Sequence, residues 1–296
     1  MKKSLHLILC ALLFSSVFAF ADDRTENNGN LILKNIPLIP ESIEQDLTQY
    51  QNVRSAPFRG FNKEGDEIFI TTRFGNVSQL HRVRKQGGAR EQITFFGEPI
   101  GSISRKPGGK SIAFTMDAGG TENNQIFLLD TNDGSSVMLT DGKSRNGGPL
   151  WEKNGPRIAF QSTRRNGQSN DVWIMDSKDS NSAEMILESP DGTWWGPSDW
   201  SKDGKKILIQ NYISITNSKA YILDVESKKK EMILGSSEIE SYNAILSFDR
   251  SQNGVFFLTN EYGEFNQLAH KDLKNNKVSV LTKDIPWDID GFAISS

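Results

Sequence analysis

The sequence predicts an all-β fold of the β-propeller type, with four-stranded, WD40-like blades, and three observations predict it. Residues 148–187 read as four short strands: an apolar piece ending at Trp151, an Asn154-Gly155 turn, an alternating strand over 157–162, DVWIMD over 171–176, and EMIL over 184–187. This unit recurs. Second strands aligned on Ile68, Ile112, Ile158, Ile207 and Phe257 lie 44, 46, 49 and 50 residues apart, each three residues after a glycine (Gly65, Gly109, Gly155, Gly204, Gly254). Third strands ending at Asp130, Asp176, Asp224 and Asp272 give a second spacing of 46, 48 and 48. A β-sandwich with evenly spaced turns is the alternative, but two agreeing periods of forty-odd residues favour blades that bury one another's faces.

In chain order, Lys2 and Lys3, an apolar run over 5–18 and Ala19-Phe20-Ala21 predict a cleavable signal peptide over 1–21, hence a periplasmic or secreted protein. The apolar run is too short for a spanning helix. A lipoprotein signal at Cys10 is the alternative, although bulky Leu9 precedes it. Residues 22–50 form an amino-terminal extension. Residues 22–30 are polar and expected to be disordered, 31–39 suit an edge strand with Pro37 inside it, and 41–50 suit one short helix.

The propeller then spans 51–296, with repeats at about 55–98, 99–146, 147–194, 195–242 and 243–285 and a partial one at 286–296. Residues 292–295 are expected to be the first strand of a sixth blade. The ring is then either closed by strands from 31–58 or incomplete in this sequence, which would make the chain a fragment.

The composition fits a globular chain of 296 residues, 36% hydrophobic, with a mean hydropathy of -0.48. Cys10 is the only cysteine, so the mature chain has no disulfide or thiolate chemistry. Loss of Lys2 and Lys3 takes the formal charge from -3 to -5, which disfavours nucleic acid and anionic membrane as partners. The one dense basic cluster, Lys228 to Lys230, is expected at a solvated turn.

The pairing of WSKDGKKILI (200–209) with KAYILD (219–224) resembles the TolB-like (PD40) propeller repeats shared by periplasmic TolB and the prolyl oligopeptidase, or S9, serine peptidases. TRFGNVSQLHRV (72–83), MDAGGTENNQIF (116–127) and the stretch 259–289 are similar to the amino-terminal propeller of bacterial secreted S9 peptidases. The resemblance covers 31–296. It implies a propeller that restricts access to a following α/β-hydrolase domain carrying a Ser-Asp-His triad. No G-x-S-x-G occurs in this sequence, so that domain is absent from it and no catalytic residue carries over.

The propeller offers little chemistry of its own. His81 and His270, the only histidines beyond the leader, fall in third strands of different repeats, where a hydrogen-bonded strand histidine is the plain reading. Ser227 and Lys230 match S-x-x-K without its partner motifs. Asp284, Asp288 and Asp290 lack calcium-loop spacing, and Gly119-Gly120 lacks the lysine and helix of a phosphate loop. No cofactor or metal is expected.

The loops between second and third strands emerge on the face that also carries the blade-to-blade links, and they differ most between repeats. Arg73, Asp117, Glu122, Arg164, Arg165, Tyr212, Glu261, Tyr262 and Glu264 are therefore the candidates for contacting a peptide or a partner domain. Trp151 and Trp200, each four residues before its turn glycine, are expected in blade packing. Trp194 and Trp195 are expected in a connecting segment, one of them exposed at an interface.

These readings converge on a non-catalytic propeller portion of an exported S9-type peptidase, gating or orienting peptides for the hydrolase domain. The alternatives are a standalone TolB-like periplasmic interaction scaffold and an independent propeller enzyme, for which no convergent cluster exists.

Overall fold

Alternation of apolar residues along short strands puts two faces on every sheet, and blades 2, 3 and 4 pack both against neighbours. The computed structural model describes residues 23–294, so the leader at 1–21 lies outside the described residues. The chain divides into two compact units, one ending at Val53 and one beginning at Arg54.

In the first unit, Arg24–Glu26 pairs antiparallel with Leu31–Leu33 across a turn of 3-10 helix, Asn27–Gly29. The stretch expected to be disordered is thus one arm of a hairpin. Leu31–Leu33 finds its partner within this unit. Pro40 precedes the helix Glu41–Gln51, whose first turn carries Glu41 and Glu44, carboxylates that suit the positive end of the helix dipole. Among the described residues, no helix is long and apolar enough to cross a membrane.

The second unit is a β-propeller domain of five four-stranded antiparallel blades, each a simple meander. Blade 1 comprises Phe58–Phe61, Ile68–Thr72, Gln79–Val83 and Glu91–Gln92; blade 2 Ile103–Arg105, Ser111–Met116, Gln125–Asp130 and Ser136–Met138. Blade 3 comprises Asn146–Trp151, Arg157–Ser162, Asp171–Asp176 and Asp179–Leu187; blade 4 Trp194–Trp200, Lys206–Ser214, Asn217–Asp224 and Lys230–Leu234. Blade 5 comprises Asn243–Phe248, Gly254–Thr259, Gln267–Asp272 and Val278–Val280. The four aspartates used as a ruler each end a third strand. Asp130, Asp176, Asp224 and Asp272 turn a carboxylate oxygen back on the N–H of Asn132, Lys178, Ser227 and Lys274, which closes the next turn.

Four apolar clusters fill the four interfaces between consecutive blades. The period of two decides which interface each residue joins. Ile158 and Phe160 face blade 2, whereas Ala159 faces blade 4; Ile207 and Ile209 face blade 3, whereas Leu208 faces blade 5. Trp151 and Trp200 are buried as expected, and equivalent indole N–H groups donate to the innermost strand of the preceding blade, at Ser104 O (2.9 Å) and Leu150 O (3.1 Å).

The fifth repeat corrects the sequence alignment by two residues. Val255, not Phe257, pairs with Phe248 as Ile207 pairs with Trp200, so second strands there lie 48 residues apart, matching the third-strand ruler. The turn position held by Gly204 (φ +70°) is taken in blade 5 by Gln252 at φ 61°, a non-glycine residue in the left-handed region. Gly254 instead opens the strand, where an added Cβ would clash with His270 Nε2. Gly155 is likewise a close-approach glycine, lying under the Glu152 carboxylate.

Polar ties join the turns of successive blades. Lys153 bridges to Asp199 at 2.8 Å, and the same Asp199 oxygen accepts the Phe248 N–H at 2.9 Å, linking blades 3, 4 and 5. Burial pushes the Asp199 carboxyl above its usual range, and Lys153 only partly offsets this. Residues 292–294 form no strand; the Phe292 ring packs on Phe256 of blade 5 at 5.1 Å, and Ser295 lies outside the described residues.

Candidate binding face

The loop face is built on buried polar side chains that open the third strands. Gln79 donates to Phe96 O and Glu98 O and accepts from Phe96 N; Gln125 donates to Ser144 O and accepts from Gly142 N. In blade 3 the same place is held by Asp171, fully buried, which accepts the Ser189 N–H at 2.8 Å. Each of these groups ties the blade-to-blade link to the sheet, so the loops above rest on a fixed base.

The sequence-derived candidates divide into structural and available groups. Arg165 is structural: it grips Asp171 with two bonds of 2.8 and 3.0 Å and reaches Glu188 at 3.0 Å, and the bond to Asp171 raises its pKa. Asp117 accepts from Gly120 N and Glu122 N, and so shapes its own turn, with Glu122 left-handed at φ 61°. Arg164 lies half-buried over the rings of Phe160 (5.2 Å) and Trp173 (4.9 Å); burial lowers its pKa against the pull of Asp141. Arg73 is half-buried, and Glu261, Tyr262 and Glu264 are exposed on the blade 5 loop, where burial raises the Tyr262 pKa.

Tyr212 is the candidate that joins other aromatic side chains around a cleft. It sits at the loop-face end of blade 4 opposite Trp194, and with Tyr242, Gln210, Ser198 and Ile245 it lines a cleft of about 450 Å³. The cleft lies between blades 4 and 5, at the starts of their innermost strands. Gln210 fixes its floor by donating to Asn243 O and accepting from Ile245 N. Burial, with Tyr212 and Asp290 nearby, raises the Tyr242 pKa.

Sequence reasoning missed Tyr242, which belongs to a link rather than to a second-to-third-strand loop. It also misplaced Trp194 and Trp195. Both begin the innermost strand of blade 4, and Trp195 is buried under Lys230, 4.2 Å from its ring. Lys230 therefore opens the outer strand of blade 4 rather than sitting in the turn; the residue stays exposed, and desolvation of its ammonium over the indole lowers its pKa.

The remaining motifs find local hydrogen-bond partners. His81 is buried against the carbonyl of Gln79 at 3.0 Å. His270 pairs with Asp249 at 3.0 Å, and Ser251 donates to the same carboxylate, so the carboxylate stands between serine and histidine and the hydroxyl has no base beside it. Ser227 donates its N–H and hydroxyl to Asp224, a turn motif. Among the described residues no group of three His, Asp or Glu side chains is placed to hold a metal.

The family model described as prolyl oligopeptidase, N-terminal beta-propeller domain, matches residues 99–288. The uncharacterised peptidase YuxL of Bacillus subtilis (strain 168) is 26% identical over 157 residues, which cover 53% of this chain and 21% of that protein. The uncharacterised protein Atu1656 of Agrobacterium fabrum (strain C58 / ATCC 33970) is 31% identical over 132 residues, 45% of this chain and 43% of that one. The chain thus matches less than half the length of either relative. A solved structure from a mechanistic study of two prolyl endopeptidases superposes with a TM-score of 0.62 at 12% identity, over 79% of this chain and 37% of that chain. TolB from Acinetobacter baumannii superposes at 0.53 and 16% identity, over 85% and 61%. Both share the propeller fold.

Proposed function

Because the chain belongs to the prolyl oligopeptidase N-terminal β-propeller family, we propose that residues 51–296 are the non-catalytic propeller of an exported S9-type peptidase, orienting or admitting peptides for a hydrolase domain absent from these residues. Export rests on the leader pattern at 1–21. The observation that carries the substrate role is the cleft of Trp194, Tyr212 and Tyr242 on the loop face. Aromatic walls offer large contact area at low conformational cost, and a cleft with a few fixed polar groups suits an extended peptide. Tyr212, 37% exposed, is accessible there.

Titration of the purified chain with a mixture of unstructured octapeptides, followed by calorimetry, tests this. Tyr212→Ala and Trp194→Ala are expected to weaken binding by about tenfold each. Unchanged affinity in both variants, or no peptide binding by the unmodified chain, would remove the peptide role and leave the scaffold alternative.

A further inference from the structure

The residue just before the first turn of each blade is Phe61, Arg105, Trp151, Trp200 and Phe248 in blades 1 to 5. Four are aromatic and one is a cation. In blades 3 and 4 the indole N–H at this place donates to the preceding innermost strand, through Ser104 O and Leu150 O. The equivalent acceptor for blade 2 is the carbonyl of Gly60, yet Arg105 makes no bond to it. Its Nη1 is shielded from solvent with no acceptor, and the guanidinium makes no hydrogen bond or ion pair with any described residue. A guanidinium nitrogen shielded from solvent without an acceptor is costly, and a local rule broken without an internal gain points to a functional position.

Arg105 lines a cleft of about 270 Å³ between blades 1 and 2, on the face opposite the loop face, floored by Phe69 and Ile112. The other cations there are Lys63, Arg82 and Lys110, and the acids are Glu64, Asp66 and Glu67. Most of these are already engaged. Glu67 pairs with Arg84 at 2.8 Å, Arg82 with Glu91 at 3.0 Å, Asp66 accepts from Asn62, and Lys110 donates to Asn132. That leaves Arg105, with Lys63 and the remaining donors of Lys110, facing Glu64 and Asp66, whose charge the neutral Asn62 amide does not cancel.

We propose that this cleft binds a small oxyanion, a carboxylate or a phosphate, with Arg105 as its anchor. A guanidinium fork matches the paired oxygens of either group, which a lysine or an indole does not. The site is independent of the peptide cleft, so the two stand or fall separately.

The test is thermal unfolding of the full chain at constant ionic strength, replacing sodium chloride by about 50 mM inorganic phosphate or succinate. The midpoint is expected to rise by about 2 °C or more with at least one of them. A response to phosphate alone assigns a phosphate group, and one to succinate alone a carboxylate. Arg105→Leu and Arg105→Trp are both expected to lose the response, while Arg105→Trp, which reinstates the repeat's indole, is expected to melt higher than the unmodified chain in chloride. No response beyond chloride, or a response undiminished in both variants, would overturn the proposal.

Discussion

Trp200→Ala is expected to cost about 3–5 kcal/mol, lowering the thermal midpoint by roughly 10 °C. Trp200 is 0% exposed and packs in the cluster shared by blades 3 and 4, with Ala159, Ile207 and Leu223 around it. The Arg157 guanidinium stacks on its ring at 4.9 Å while bonding Glu152 and Gly204 O. Truncation empties a space that strand backbones cannot collapse into, and it leaves Leu150 O without its donor. Trp200→Phe, which keeps most of the ring but not the N–H, is expected to lose a smaller amount. Urea unfolding of the three proteins checks this order; equal midpoints would mean that the blades are not held by these interfaces.

Asp171→Ala is the second large effect, about 2–4 kcal/mol. The side chain is fully buried at the start of a third strand, gripped by Arg165 and accepting the Ser189 N–H. Its removal leaves that N–H unpaired in the interior. Arg165 keeps Glu188 and solvent, so its loss of partner adds less. Arg165→Met is expected to cost a comparable amount, because it leaves a fully buried carboxylate without its cation, but it keeps the Asp171–Ser189 bond. Hydrogen exchange at Ser189 is expected to accelerate strongly in Asp171→Ala and weakly in Arg165→Met; an unaltered rate in both would contradict the pinning role.

The blade plan was legible because strand alternation and turn-closing aspartates depend on local chemistry. Asp130, Asp176, Asp224 and Asp272 act within three residues of themselves, so their spacing reports blade spacing directly. The glycine ruler failed at blade 5 because glycine serves two needs. Gly204 provides a left-handed turn residue, whereas Gly254 makes room for His270, and one sequence does not separate them.

The candidate face was legible only as a set of loops. Which charges are available depends on partners distant in sequence: Asp171 turns inward to the link at Ser189 and draws Arg165 with it, while Tyr212 meets Trp194 and Tyr242. Tyr242 was findable, because the topology puts links and second-to-third-strand loops on the same face. Arg105 was visible in the sequence as a break in an aromatic column, but its meaning needed the indole bonds of the neighbouring blades.

Whether this propeller serves a serine peptidase, as we propose, is tested most directly by isolating the protein from its native source under non-denaturing conditions, labelling it with a fluorescent serine-hydrolase probe, and determining the mass of the labelled species. The expected result is a probe-reactive species heavier than 33.1 kDa that contains these residues, or a probe-reactive subunit that co-purifies with them. A probe-silent species no heavier than this chain would contradict the claim and support a propeller that acts alone as a binding scaffold.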